Sequence, residues 1–200
     1  MTPLERLARI PWFHYWEQQI IGIGFYGQVK RFLGAQGAFS LGKRVLDIGC
    51  GQGILAEWFP NDSYVGIDTD SESLGFARRR FHKNTFIRQD ATGLSFQNET
   101  FDLVISIGIL HHLSNEQVKH HLQEAFRVLK RGGAIIVFDS VKPEKGDYFR
   151  LWMSRYERGT YLRTPEELDQ CLVRCGFSDS KFRSFKTWYS QNYSLVLKRP

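Results

Sequence analysis

The sequence predicts a doubly wound α/β domain: a mostly parallel sheet with helices on both faces and an antiparallel strand at its C-terminal end. Three observations predict it. Short apolar runs alternate with helix-patterned segments from residue 43 to residue 140, a cadence that yields parallel strands joined by crossover helices. The stretch VLDIGCGQG, Val45 to Gly53, sets three glycines at alternate positions directly after an apolar run. Two strand-like runs near the C-terminus lie close enough in sequence to pair antiparallel.

Each element follows from its own residues. KRVLDI (43–48) reads as a buried strand, and ILAEWF after Gly53 as a short helix ended by Pro60. SYVGID (63–68) is the second strand. SESLGFARRRF is a helix for which Ser71 and the early Glu72 suit the start. TFIRQD (85–90) and FDLVISIGIL (101–110) supply the third and fourth strands. Ser114 and Gln117 form a capping box that opens the helix NEQVKHHLQEAFRVLK, which Gly132 stops. GAIIVFDS (133–140) is the fifth strand. In TPEELDQCLVRCG, Thr164 caps, Pro165 takes the first helical position, Glu167 completes the box and Gly176 is the stop. SKFRSFKTWYS and NYSLVLKRP are the two runs that pair antiparallel.

Composition narrows the class. With 200 residues, 42% of them hydrophobic, the chain suits one globular domain with a substantial core. No apolar run reaches the roughly 18 residues of a membrane span, and the start MTPLERLARIPWF lacks the apolar block of a secretory signal, so a cytoplasmic location is expected. Cys50, Cys171 and Cys175 form no CxxC pair and no metal-ligand spacing. Reduced thiols and no metal site are therefore expected, with Cys50 a small space-filler in its turn. The net charge of +6 permits an acidic partner without requiring one. The largest basic run, Arg78 to Arg80, falls in a helical segment and reads as a solvated face.

The glycines have a physical reason. In an open α/β sheet, ligands bind beyond the carboxyl ends of the strands, and the first strand-to-helix turn admits a ligand against its backbone only where side chains are absent. Gly49, Gly51 and Gly53 supply that absence. The dinucleotide fingerprint is GxGxxG, whereas the spacing here is GxGxG with Ile54 next, which suits a nicotinamide dinucleotide poorly. Asp68, about 20 residues downstream at the end of the second strand, is placed to accept hydrogen bonds from ribose hydroxyls. A ribose-bearing ligand without a cradled pyrophosphate is implied.

Over residues 40–198 these motifs, in this order, resemble the class I S-adenosylmethionine-dependent methyltransferases. The resemblance implies a Rossmann-like, seven-stranded sheet whose last strand inserts antiparallel between the fifth and sixth, with S-adenosyl-L-methionine as cofactor. VLDIGCGQG is similar to the family's first motif, which implies that Gly49, Gly51 and Gly53 meet the methionine part and that Asp47 positions its amino group. GIDTD implies Asp68 on the ribose with Thr69 beside it. RQDAT implies Asp90 on the adenine amino group with Ala91 adjacent, and FDLVISIGILHHL brings Ser106 into the cofactor site. Asp68 and Asp90 also suit plain turn formation when read one at a time.

A sulfonium already carries an activated methyl group, so the protein has to hold a nucleophile in line and exclude water. A base helps where the nucleophile begins protonated. His111 and His112, just past the fourth strand, are the candidates, since an imidazole titrates near neutrality; a role in shaping the loop competes with that reading. His120 and His121 read as surface or packing residues of a helix. The chain is expected to divide into an aromatic N-terminal lid (1–40) and the catalytic domain (41–200) with an inserted substrate segment (141–163). The lid holds Trp12, Phe13, Tyr15, Trp16, Phe25, Tyr26 and Phe32. The insertion holds Tyr148, Phe149, Trp152, Met153, Tyr156 and Tyr161 among arginines, of which Arg150, Arg155 and Arg158 suit an anionic group. Apolar walls of this kind suit a small apolar or aromatic methyl acceptor. A membrane-surface lipid or quinone acceptor, with peripheral contact through the N-terminal segment, is the second expectation. A nucleic-acid acceptor is the third and least favoured, because the fourth motif reads SIGI and not the NPP-aromatic run of amino-directed enzymes.

Overall fold

The computed structural model describes residues 23–40, 42–154, 161–174, 183–186 and 190–199. Five helices and seven strands are found among them: α1 (Ile23–Ala35), β1 (Val45–Ile48), β2 (Tyr64–Asp68), α2 (Ser71–Arg80), β3 (Thr85–Arg88), β4 (Phe101–Ile107), α3 (Asn115–Val128), β5 (Leu129–Val141), α4 (Tyr148–Met153), α5 (Pro165–Arg174), β6 (Arg183–Lys186) and β7 (Gln191–Lys198). The strands form one sheet in the order β3-β2-β1-β4-β5-β7-β6. β1, β2, β3, β4 and β5 are parallel, and β7 pairs antiparallel with both β5 and β6, as the sequence led us to expect.

Strand alternation divides the core between the two sheet faces. Ile135 and Val137 of β5 turn toward Val118, Leu122 and Ala125 of α3 and Leu168 and Leu172 of α5. Ile136 and Phe138 turn the other way, toward Val29 and Leu33 of α1 and Leu74 and Ala77 of α2. Phe25 and Phe32 of α1 meet the Phe138 ring edge-on, with centroids 6.4 and 5.0 Å apart, and Tyr26 meets Trp58 at 6.3 Å. These three aromatics of the expected lid therefore pack the first helix onto the sheet. Trp12, Phe13, Tyr15 and Trp16 lie outside the described residues.

Several boundaries differ from the sequence reading, each for a local reason. The cap of α2 is Asp70, not Ser71: its carboxylate accepts the Glu72 and Ser73 N–H groups, which a side chain inside the first turn cannot do. α3 keeps its capping box of Ser114 and Gln117 but ends at Val128, and Gly132 lies within β5 instead of stopping the helix. Residues Ile54–Trp58 form a 3-10 turn and not an α-helix. Arg78 is no free surface charge, since its guanidinium donates to the Phe86 carbonyl at 2.8 and 3.1 Å. Thr164 and Glu167 make the reciprocal bonds of a box at 3.2 and 2.8 Å. Gly176 lies outside the described residues.

Candidate active site

The turn after β1 is clamped to β2 by backbone. Gly49 and Cys50 both donate to the Ile67 carbonyl, at 2.8 and 2.9 Å, and the Gly53 N–H closes the turn on the Cys50 carbonyl at 2.9 Å. Gly51 and Gly53 are both left-handed, with φ of +50° and +75°, yet their surroundings differ. A Cβ on Gly53 would lie 2.8 Å from the Phe86 ring and 3.1 Å from Ala77, so this glycine lets the turn pack on the sheet. A Cβ on Gly51 would meet nothing within 4 Å. The turn is thus bare and open at Gly51 while buried at Gln52 and Gly53. Gly49 faces the other half of the edge: its Cβ would lie 2.9 Å from Ile109 in the loop after β4.

Asp68 sits beside this opening. One carboxylate oxygen accepts the Gly51 N–H at 2.8 Å and the other accepts the Asp70 N–H at 2.9 Å, so the acid holds the turn as well as facing it. Each oxygen retains a second acceptor position. Thr69 is exposed and its carbonyl accepts from Arg88 at 3.1 Å. Asp90 is exposed after β3, where the Thr92 hydroxyl and N–H bond it at 2.6 and 2.8 Å and hold its carboxyl below the usual range. Ala91 is buried beside it.

Asp47 is fully enclosed and bonds the Tyr64 hydroxyl at 2.5 Å. Burial raises its pKa to about 7, against the lowering pull of that hydrogen bond and with a further rise from Asp68. Cys50 packs its sulfur against Gly66, and burial, then Asp47 and Asp68, push its thiol upward, which suits a packing group and not a nucleophile. Cys50 and Cys171 are free thiols, and Cys175 lies outside the described residues.

Ser106, the penultimate residue of β4, is fully buried on the α3 face with its hydroxyl 3.1 Å from His121 Nε2. His121 is thus no surface residue. Burial lowers its pKa to about 4, opposed by the Ala91 backbone and Asp139, which leaves it neutral at physiological pH.

The structure separates the two candidate bases. His112 is exposed, whereas His111 is buried with Nδ1 against Asp139 Oδ1. The rings lie 4.1 Å apart. Asp139, near the carboxyl end of β5 and 1% exposed, also accepts the Leu110 N–H and, at 2.7 Å, the Ser140 N–H. The buried Arg163 guanidinium donates to the Leu110 and Leu113 carbonyls at 2.8 and 2.6 Å and to Asn115 Oδ1 at 2.9 Å, fixing the backbone on both sides of the histidine pair. Arg150 is occupied by Asp147 at 2.5 Å, while Arg155 and Arg158 lie outside the described residues. Sequence reasoning missed Asp139, Arg163 and Tyr64.

A bare glycine turn, an acid beside it and a buried histidine–aspartate pair lie at the carboxyl ends of the strands. The methyltransferase-domain family matches residues 45–133. A ubiquinone biosynthesis O-methyltransferase of Rhizobium johnstonii is 30% identical over 80% of this chain and 74% of its own. A fatty-acid O-methyltransferase of Mycolicibacterium smegmatis is 36% identical over 50% of this chain and 38% of its own. The fold matches that of a phosphoethanolamine N-methyltransferase of Haemonchus contortus, with a TM-score of 0.74 at 19% identity over 98% of this chain and 60% of that one. The chain belongs to the class I S-adenosylmethionine-dependent methyltransferases. It is a methyl-transferring enzyme and its cofactor is S-adenosyl-L-methionine.

The residues present fit that cofactor. Gly51 leaves open the space a side chain would fill, and Asp68 presents acceptors beside it. When bound, the cofactor supplies a methyl group on a positively charged sulfur. What remains for the chain is to enclose the acceptor, aim its nucleophilic atom and take its proton.

Proposed function

We propose that the chain methylates a hydroxyl group of a small molecule with an aromatic or otherwise apolar body, with His111 as the base. The observation that carries this reading is the burial of His111 against Asp139 in a loop whose Ile109 lies against Gly49 of the glycine turn. A base is of use where the acceptor atom starts protonated, as a hydroxyl does. The names of the two relatives, each an O-methyltransferase, support the same acceptor atom. In this reading Gly49 and Gly51 receive the methionyl part, Asp68 and Thr69 the ribose and Asp90 the adenine side, while the buried Asp47, Gly53, Ala91 and Ser106 support the site from behind. His112, exposed beside the base, bounds the acceptor space. The described insertion residues 141–154 and 161–163 bound the acceptor side, while α1 of the N-terminal segment packs on the sheet.

The test is to offer isotopically methyl-labelled cofactor with a decyl-substituted hydroquinone, a decyl-substituted catechol, a fatty acid and a short RNA, and to locate the label by mass spectrometry. A methyl ether on the hydroquinone or catechol is expected. Label on the RNA alone contradicts the reading. A second reading places the acceptor at a membrane surface, favoured by the exposed Tyr148, Phe149 and Trp152 of the insertion, which are 81%, 51% and 50% exposed. It requires the protein to co-sediment with anionic liposomes and Trp152→Ser to reduce that binding.

A further inference from the structure

We propose that Asp139 is a positioning residue that fixes His111 in the Nδ1–H tautomer and thereby leaves Nε2 as the proton acceptor. The proposal rests on the hydroxyl-methylation reading for its purpose, but its central statement concerns the imidazole.

Asp139 is met by two backbone N–H groups and one imidazole. Its Oδ2 accepts the Leu110 N–H, and its Oδ1 accepts the Ser140 N–H at 2.7 Å. One backbone donor aimed at each oxygen is an arrangement made for oxygens that only accept. The third group to meet this carboxylate, His111 Nδ1, must then bring a hydrogen. A neutral imidazole carries one ring hydrogen, so with Nδ1 protonated the lone pair is on Nε2.

The surroundings hold this choice in place. Asp139 is carried on β5 in the middle of the sheet, between β4 and β7, so its position is set by strand pairing and not by a loop. The loop that brings His111 to it is pinned by the Arg163 bonds on either side, and the Tyr161 N–H donates to the His111 carbonyl at 2.9 Å. Among the described residues, other titratable groups near the pair include His112, tilted against His111, together with Arg163, His121 of α3 and Tyr193 of β7. Asp139 acts electrostatically on the last two. His121 is neutral and Tyr193, whose hydroxyl burial pushes far upward, stays protonated, so neither offers a charge that competes with Asp139 for the imidazole.

In the transfer step the acceptor oxygen forms its bond to the methyl carbon while its O–H pair is left on oxygen and the proton passes to His111 Nε2. The electron pair of the broken carbon–sulfur bond stays on sulfur, which becomes a neutral thioether. The positive charge that leaves sulfur thus reappears on the imidazolium, directly against the Asp139 carboxylate, and the proton is afterwards released to water. Asp139 orients the ring and matches this charge without touching either reactant.

The test reads the tautomer directly. Long-range proton–nitrogen correlation spectra of the ¹⁵N-labelled full chain, saturated with S-adenosylhomocysteine and assigned with His111→Gln, are expected to show His111 protonated at Nδ1 and unprotonated at Nε2 near neutral pH. Asp139→Asn is expected to populate the Nε2–H form and to lower kcat about 10²-fold or more on the hydroquinone probe, with the KM for S-adenosylmethionine unchanged. A parent spectrum with the hydrogen on Nε2 overturns the proposal, and that spectrum decides even if the variant does not fold. A folded Asp139→Asn protein that keeps the parent tautomer overturns it as well. If the Nδ1–H form is found but the parent methylates none of the hydroxyl probes, the positioning statement stands and the hydroxyl reading is what fails.

Discussion

Alanine at Gly51 and alanine at Gly53 impose the same kind of backbone strain on one turn and should have opposite consequences. Both positions have left-handed φ, where a side chain costs about 1–2 kcal/mol. At Gly53 the new methyl would stand 2.8 Å from Phe86 and 3.1 Å from Ala77, which adds an overpacking cost of about 1–3 kcal/mol. At Gly51 it would meet no protein atom within 4 Å. Gly51→Ala should therefore lose about 1–2 kcal/mol of unfolding free energy in urea melts and Gly53→Ala about 2–5 kcal/mol. Affinity for S-adenosylhomocysteine, measured by titration calorimetry on folded protein, should reverse the order relative to these stability losses. Gly51→Ala fills the space assigned to the ligand and should weaken binding at least about tenfold, or about 1.4 kcal/mol. A folded Gly51→Ala protein with the parent's affinity would refute the reasoning, because the open space at that turn would then have nothing to do with the cofactor.

His111→Ala should lower turnover about 10²-fold or more with cofactor affinity retained, while His112→Ala, which removes an exposed ring, should stay within about tenfold of the parent; steady-state kinetics with calorimetry separates the two. Asp47 gives a pH signature. Its folded pKa of about 7 lies above the ordinary 3.8, so the neutral acid suits the fold, and that contribution, complete below about pH 4, is lost as pH rises toward 7. Asp47→Asn keeps an acceptor for the Tyr64 hydroxyl and removes this slope, so its stability relative to the parent should rise between pH 5 and pH 8 in denaturant melts; a parallel pair of curves contradicts the burial argument.

The strand cadence and the glycine turn made the sheet and its ligand-bearing edge legible, because parallel strands, crossover helices and bare turns are local patterns. Val118, His121, Leu122 and Ala125 share the buried stripe of α3, which separates His121 from the exposed His120 at helical spacing. Asp139 was hidden because it reads as one polar residue ending an apolar strand, and its partner lies 28 positions away on a different element. Arg163 stands among insertion arginines that composition cannot tell apart; its distinction is a set of four carbonyl and amide partners that only the folded loop assembles. The Asp47–Tyr64 bond depends in the same way on the pairing of β1 with β2.

A crystal structure of the protein with S-adenosylhomocysteine bound tests the whole assignment at once. Ribose hydroxyls are expected within hydrogen-bond distance, about 2.5–3.2 Å, of the Asp68 carboxylate, with the ligand's methionyl part against the backbone at Gly51 and His111 Nε2 facing the sulfur across the acceptor space. Ligand density away from the Gly51 turn, or a ribose that leaves Asp68 untouched, would contradict it.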